Sequence, residues 1–152
     1  MILLDTNVVS ELMRSEPNAT VEAWVRSQSA GSLYFSTVGE AELRYGAAIL
    51  PEGRRRETLF TNIEGMLRSA FGDRALSFDR DAARIYGHIA AMRRSAGRHV
   101  EAVDCQIASI ASAHGLKVAT RNVSDFGGMV DRVGQPPDRG ANVLTDLQKV
   151  VR

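Results

Sequence analysis

The chain has 152 residues, of which 44% are hydrophobic and 24% are charged, and its formal net charge is +1 at pH 7. These values predict one globular domain with a proper core and exclude two domains of typical size. No apolar run approaches the roughly 20 residues of a membrane span, and the apolar start lacks the basic region of a signal peptide. The single cysteine, Cys105, excludes an internal disulfide, so a reducing cytoplasm is the expected location.

The positive charge comes almost entirely from arginine, with 17 arginines against two lysines. Arginine presents a planar fork that suits phosphate oxygens. Codon usage in a GC-rich genome would give the same bias. The composition is therefore compatible with nucleic-acid contact but does not demonstrate it.

The first apolar run, 1–4, leads directly into Asp5. A continuous apolar run predicts a strand that is buried on both faces, as in a parallel α/β sheet. Asp5 then lies at the carboxyl edge of the sheet, where open α/β folds place their ligand sites. Thr6 is expected to cap a short helix that follows.

The rest of the chain alternates between apolar runs and helical periodicities, which predicts a single α/β domain with a parallel sheet. Further strands are expected at 33–36, 75–78, 116–120 and 129–130. Helices are expected near 21–31, 38–50 and 103–114, after Arg54 and Asp79, and at 143–151. The predicted domain covers 1–133, and 134–152 forms a C-terminal loop region with the last of these helices.

Glu42 has no simple structural role in the predicted helix 38–50. Val38 lies four residues before it, and Tyr45 and Ile49 lie three and seven residues after it, which predicts that Glu42 shares an apolar, core-facing stripe. An unpaired carboxylate there would cost several kcal/mol, so it needs a partner, a cation or an open cleft. Pairing with Arg44 is the structural alternative.

Other acidic residues have ordinary explanations at helix starts. Thr37 and Glu40 have the spacing of a capping box. Asp79 is expected to be an N-cap, and Glu101 is expected to cap the helix 103–114, with a place beside Asp104 as the alternative. Asp104 differs because it shares the helical face of the apolar residues that follow it, while it also lies in the first turn.

Asp5, Glu42 and Asp104 are therefore the three carboxylates that resist plain structural explanations. If they converge, their charges repel and must be neutralised. Oxygen ligands select a hard cation such as Mg²⁺ or Mn²⁺, completed by water and substrate phosphate. Such a cation can activate water for attack on a phosphodiester, which is the chemistry of a metal-dependent nuclease.

Four segments then resemble PIN-domain ribonucleases, and most closely the VapC-type toxins of type II toxin–antitoxin pairs in the FitB-like branch. The segments are 2–7, 42–46, 104–108 and 119–126, and they match in order and spacing across about residues 1–130. Each motif alone is weak, but the ordered set is specific.

The resemblance implies a three-layer α/β/α domain with a parallel sheet of four to five strands in the order 3-2-1-4-5. It also implies endonucleolytic cleavage of RNA with Mg²⁺ or Mn²⁺. Asp5, Glu42 and Asp104 would be the catalytic metal ligands. The implied partners are a second copy of the chain and a cognate antitoxin that blocks the acidic cleft and binds operator DNA for the pair.

The last motif departs from the family pattern. Many members have an acidic residue where this chain has Asn122, and Asp125 follows three residues later. Asn122 can offer a carbonyl oxygen or hold a water, while Asp125 could supply the missing charge as a further catalytic residue. The resemblance assigns supporting roles to Thr6, Asn7, Thr120 and Asn122.

Arginines in two basic clusters are candidate RNA contacts, although solvated surface charge is the alternative. They are Arg54, Arg55, Arg56, Arg93, Arg94 and Arg98.

Two other functions compete with the nuclease. One is a PIN fold that has lost catalysis and serves in binding or assembly. The other is a phosphoacceptor receiver domain, which is disfavoured because Asp5 stands alone and no lysine follows the late strand 116–120.

Overall fold

The computed structural model describes residues 1–127, 129 and 133–134 of the chain. The strands are β1 (Ile2–Leu4), β2 (Leu33–Ser36), β3 (Ala75–Leu76), β4 (Lys117–Ala119) and β5 (Val133–Gly134). The helices are α1 (Thr6–Leu12), α2 (Ala19–Ser27), α3 (Thr37–Ala48), α4 (Arg54–Met66), α5 (Arg80–Ser95), α6 (Ala102–Ala113) and α7 (Val123–Phe126). In this part of the chain no helix is both long and apolar enough to cross a bilayer.

The strands form one parallel sheet in the order β3-β2-β1-β4-β5, which confirms the predicted order. Leu3 of β1 pairs with Tyr34 on one side and with Val118 on the other. Beyond β1, the backbone N–H of Asp5 donates to the carbonyl of Ala119 at 2.9 Å. The first carboxylate and the end of β4 therefore meet at the carboxyl edge of the sheet.

The two faces of β1 serve two hydrophobic cores. Leu3 packs with the buried residues of α5 and α6, whereas Ile2 and Leu4 pack with residues of α1, α2 and β2. Alternate side chains of a strand point to opposite faces, so an apolar run of this kind fits a sheet covered on both sides. The buried first strand and the layers of helices on both faces are as the sequence predicts.

The fifth strand is displaced from its predicted position. It forms at Val133–Gly134, paired with Val118 and Ala119 of β4, whereas Met129 lies in a turn and Val130 lies outside the described residues. Met129 is buried in the core beside α6, so its apolar character reflects packing in a loop. A short helix, α7, also occupies a stretch without a predicted element. The predicted helix 143–151 lies outside the described residues.

Two helices begin one residue earlier than predicted. Asp5, and not Thr6, is the N-cap of α1, because its backbone is extended and its carboxylate accepts the N–H of Thr6 at 2.7 Å. Ser36, and not Thr37, is the N-cap of α3, and its hydroxyl accepts the N–H of Gly39 at 3.0 Å. In each case the residue that ends the strand already carries the capping oxygen.

The other predicted caps have different outcomes. Asp79 is the N-cap of α5 and accepts two backbone N–H groups, as predicted. Glu101 occupies the N-cap position of α6, but its side chain makes no capping hydrogen bond and lies 3.5 Å from His99. Glu40 does not close a capping box, because its carboxylate accepts from Arg44 at 2.8 Å.

Candidate active site

Asp5 is held at the carboxyl edge of the sheet by two hydrogen bonds. Its Oδ1 accepts the backbone N–H of Thr6 at 2.7 Å, and its Oδ2 accepts the Thr120 hydroxyl at 2.7 Å. Asp5 is only 5% exposed, and Thr120 is fully buried. The first bond comes from the start of α1 and the second from the end of β4, so the fold fixes the plane of the carboxylate.

The Thr120 hydroxyl has a defined orientation. Its Oγ1 accepts the Asn7 side-chain amide at 3.0 Å and the backbone N–H of Asn122 at 2.9 Å. A hydroxyl has one proton and two lone pairs, so these two donors leave its proton for Asp5. Asn7 also accepts the backbone N–H of Arg121 at 3.1 Å. Asn7 therefore ties the first turn of α1 to the segment that follows β4.

Glu42 reaches the same edge from α3. Its Oε2 accepts the Thr6 hydroxyl at 2.5 Å, so Thr6 donates its backbone N–H to Asp5 and its hydroxyl to Glu42. We call Asp5 and Glu42, joined through Thr6, the acid pair. Two carboxylates that converge on one small residue form an oxygen-rich site at the carboxyl end of β1.

The predicted reason for the position of Glu42 was wrong. Val38 packs against the core, but Tyr45 and Ile49 are 69% and 64% exposed, so the stripe does not face the core from half-buried Glu42 onward. The alternative partner is also excluded, because Arg44 binds Glu40 at 2.8 Å and Glu64 at 2.6 Å. Glu42 lies on a groove wall beside Thr6.

Asp104 is half-buried in the first turn of α6, and the predicted core residues Ile107, Ala108 and Ala111 of that face are buried. Within the described residues, no group of three His, Cys, Asp or Glu side chains is placed to hold a metal ion. Asp104 therefore does not complete a preassembled three-ligand cluster with the acid pair. Its role as a ligand stays a prediction.

The last motif, 119–126, is joined to the carboxyl edge of the sheet by a backbone hydrogen bond. Asn122 is exposed, and its N–H donates to Thr120 just before α7 begins. Asp125 lies within α7, but its side chain lies outside the described residues. The roles of Asn122 and Asp125 in the chemistry stay predictions.

A buried carboxylate that the sequence analysis missed, Glu11, lies behind the site. It is 6% exposed and accepts the N–H of Asn18 at 2.9 Å, Arg121 at 2.8 Å and Arg14 at 3.3 Å. The Asn18 N–H, followed by Arg14 and Arg121, lowers the pKa of Glu11, although burial opposes this shift. Glu11 follows the buried Val8 by three residues, so the two share one helical face, and this spacing could have predicted that Glu11 is buried.

The second basic cluster was predicted to contact RNA, and for Arg93 this was wrong. Arg93 is only 8% exposed and donates to the carbonyls of His99 and Gly127, at 2.9 Å and 3.3 Å. Because this guanidinium is itself buried and joins two backbone carbonyls of neighbouring loops, it serves the fold. Arg98, which is exposed, donates to the same Gly127 carbonyl at 2.9 Å, and Arg94 is exposed on α5.

Cys105 is fully buried, and burial raises the pKa of its thiol. Its sulfur lies 3.4 Å from the Met129 sulfur, within the core. Because the thiolate is the nucleophilic form and burial disfavours it, this cysteine is a packed side chain and not a nucleophile.

Fold and site together define an open α/β protein with an acidic ligand site where the carboxyl ends of its parallel strands meet. The chain belongs to the PIN domain family, which it matches over residues 2–126. The resemblance carried by the four sequence motifs is thus confirmed.

Three relatives match over 126 residues, which is 83% of this chain. Plasmid stability protein StbB of Pseudomonas syringae pv. tomato is 48% identical, with 91% of its length covered. VapC ribonuclease Y4jK of Sinorhizobium fredii is 44% identical, with 90% covered. Toxin FitB of Neisseria gonorrhoeae is 40% identical, with 91% covered.

Among solved structures, a chain in the structure of FitAB bound to an IR36 DNA fragment superposes with a TM-score of 0.82. The two chains are 38% identical, and the match covers 90% of this chain and 95% of the other. The fold described above is therefore shared with that chain over nearly its whole length.

Proposed function

We propose that the chain is a Mg²⁺- or Mn²⁺-dependent endoribonuclease that acts in the cytoplasm as the toxin of a type II toxin–antitoxin pair. The observation that carries this proposal is the acid pair, held through Thr6 at the carboxyl end of β1. The names of the relatives support it: one is a VapC ribonuclease, one is a toxin and one is a plasmid stability protein.

The side chains at the acid pair fit a hard divalent cation. Both are carboxylates, and Mg²⁺ commonly binds through one or two carboxylates while it keeps several waters and takes up substrate phosphate. Asp5 and Glu42 would therefore suffice to hold the ion without a third preassembled ligand. Asp104 is proposed to add the third carboxylate from α6.

A bound Mg²⁺ or Mn²⁺ would lower the pKa of water and stabilise charge on the phosphate under attack. The role of the protein in this chemistry is to hold the carboxylate oxygens of Asp5 and Glu42 in place before the ion binds. Thr6 and Thr120 fix Asp5, and Thr6 fixes Glu42. Asn7 fixes Thr120 in turn, so a single hydrogen-bonded unit joins α1, α3 and the end of β4.

Asn122 and Asp125 are proposed to complete the site from the segment after β4. The bond from the backbone N–H of Asn122 to Thr120, which itself binds Asp5, supports this role, and the amide oxygen of Asn122 can hold a water. Asp125 lies one turn further along, in α7, and would supply a further negative charge as a catalytic residue.

The proposed partners are RNA, a second copy of the chain, and a cognate antitoxin through which alone the pair contacts operator DNA. The FitAB structure on a DNA fragment supports this arrangement. A basic side chain of the antitoxin placed between Asp5 and Glu42 would neutralise the charges that attract the cation. Inhibition would then follow from direct occupation of the acid pair.

Expression in bacteria, with and without the protein encoded next to this chain, tests the toxin function. We expect growth arrest that the neighbouring protein relieves, together with new RNA ends inside transcripts. Asp5→Ala, Glu42→Ala and Asp104→Ala should each abolish the arrest, whereas the surface variant Glu22→Ala should retain it. Full toxicity of Asp104→Ala would remove that residue from the site, and full toxicity of Asp5→Ala would overturn the nuclease function.

A binding or assembly module without catalysis is the second candidate. Two observations favour it: Asn122 stands where many family members carry an acid, and the described residues contain no three-ligand group. RNA cleavage that depends on added metal would exclude this candidate. Binding of the neighbouring protein without any cleavage would favour it.

A further inference from the structure

A groove runs from the acid pair along α1, α3 and α4. Its first part, a cavity of about 400 Å³, has Thr6 and Glu42 in its wall. Its second part, of about 600 Å³, extends to Arg55 and Asn62 on α4. The two parts share the lining residues Met13, Arg14, Gly46 and Leu59, so they form one continuous depression, which we call the α1–α4 groove.

The α1–α4 groove has an apolar floor and polar edges. Leu43, Leu59 and Ile63 line its first part, and Thr58 and Asn62 lie along its second part. Apolar surface can pack against the faces of nucleobases, while hydroxyl and amide groups can bond to sugar hydroxyls and base edges. This division suits an unpaired nucleic-acid strand.

The charges along the groove change sign with distance from the acid pair. Glu42 is the one acidic side chain among the described lining residues, and it lies at the end that would bind metal. Arg14 follows, and Arg55 lines the far part. A cation at the acid end and two guanidinium groups beyond it would present positive charge along the whole path, which complements a row of phosphates.

Both arginines are available for ligand contact. The Arg14 side chain is 66% exposed, and its bond to Glu11 is long at 3.3 Å, while Arg121 binds the same Glu11 oxygen at 2.8 Å. Arg55 is exposed in the first turn of α4. The neighbouring Arg56 differs because its guanidinium lies over the Phe60 ring, 5.9 Å from its centroid.

We propose that the α1–α4 groove binds the RNA strand beside the cleavage point, with Arg14 and Arg55 each contacting a phosphate of that strand. This inference rests on the proposed ribonuclease function and specifies where its substrate lies. It adds Arg14, which has no part in the basic clusters seen in the sequence, and it selects Arg55 from the first cluster.

The test measures RNA binding without cleavage. The full-length chain carrying Asp5→Asn is titrated against a short, fluorescein-labelled, single-stranded RNA of mixed sequence, and anisotropy is recorded over a series of NaCl concentrations. For single strands, the slope of log affinity against log salt changes by about 0.7 for each phosphate contact. Arg14→Ala and Arg55→Ala, each added to Asp5→Asn, should each make the slope shallower by about 0.7.

Matched variants separate groove contact from general charge and from folding. Arg26→Ala removes an exposed arginine on α2 that pairs with Glu22, and it should leave the slope unchanged. Arg14→Lys and Arg55→Lys retain the charge and should restore the slope. Thermal melting of each variant identifies any loss of fold.

Arg14→Ala and Arg55→Ala slopes equal to that of Arg26→Ala would overturn the proposal, and the groove would then be a surface for a protein partner. The outcome is independent of cleavage. A wild-type chain that does not cut RNA would overturn the proposed nuclease, whereas RNA binding that depends on Arg14 and Arg55 would still support the groove.

Discussion

Replacing Glu11 by glutamine should destabilise the protein markedly, although Glu11 lies outside the acid pair. The substitution keeps the size of the side chain but removes the charge that binds Asn18, Arg121 and Arg14. Hydrogen bonds to charged groups contribute about 1.5–3 kcal/mol each, and a glutamine oxygen can still accept one of them. We expect the free energy of unfolding to fall by about 2 kcal/mol at neutral pH. For a chain of this length, this corresponds to a decrease of roughly 4–8 °C in melting temperature.

The effect should depend on pH in a defined direction. Hydrogen bonding to Asn18 and the two arginines lowers the pKa of Glu11 in the folded protein below its ordinary value of 4.5. The charged form is therefore favoured by folding, and its stabilisation is fully present above the unfolded pKa and is lost as pH falls through the folded pKa. The difference between the wild type and Glu11→Gln should be largest at neutral pH and should shrink in acid.

Urea denaturation at neutral pH and at several acidic pH values measures both effects. Arg14→Ala is the control, because Arg14 is largely exposed and its ion pair should contribute about 0–1 kcal/mol. A Glu11→Gln variant as stable as the wild type would refute the reasoning. A stability difference that stays constant into acid would also refute it, because the lost contribution would then not be the charge.

Three further substitutions test the rest of the structure. Thr120→Val removes the hydroxyl that orients the carboxylate at the end of β1, so RNA cleavage should fall by about 10-fold or more, whereas Thr120→Ser should retain most activity. Gly39→Ala should lower the free energy of unfolding by about 1–3 kcal/mol, because the new Cβ would lie 2.7 Å from the Phe35 ring. Gly46 faces open space, so Gly46→Ala should leave the free energy of unfolding unchanged or raise it. Urea denaturation measures both. Arg93→Ala should lower the melting temperature because two carbonyls lose a donor, whereas Arg94→Ala should not.

The strands and the carboxylate after β1 could be predicted because apolar runs and the residues directly after them leave strong local patterns. The strand order came from the resemblance to PIN-domain ribonucleases, because local patterns do not show which strands pair. β5 could not be placed, because it has two residues and its position is set by pairing with β4. The apolar residue Met129 gave a misleading signal, since core packing and strand formation demand the same residue types. The cap of α1 was misplaced by one position because Asp5 both ends the strand and starts the helix.

Prediction of the site from the sequence was limited in a similar way. Helical periodicity placed Glu42 on one stripe with Tyr45 and Ile49, but periodicity does not tell a core from an open groove. Glu11 was missed because its partner Arg121 lies 110 residues away in sequence. Arg93 was misassigned because sequence alone does not show which guanidinium is buried against backbone carbonyls.

The central claim is that the acid pair holds a divalent cation that RNA cleavage requires. The most direct measurement is cleavage of RNA by the purified full-length chain over a titration of Mg²⁺ or Mn²⁺, with Asp5→Asn prepared in parallel. We expect activity that rises in the millimolar range, disappears in excess chelator and is absent in Asp5→Asn. Cleavage that persists in chelator, or that is equal in the wild type and Asp5→Asn, would contradict the claim.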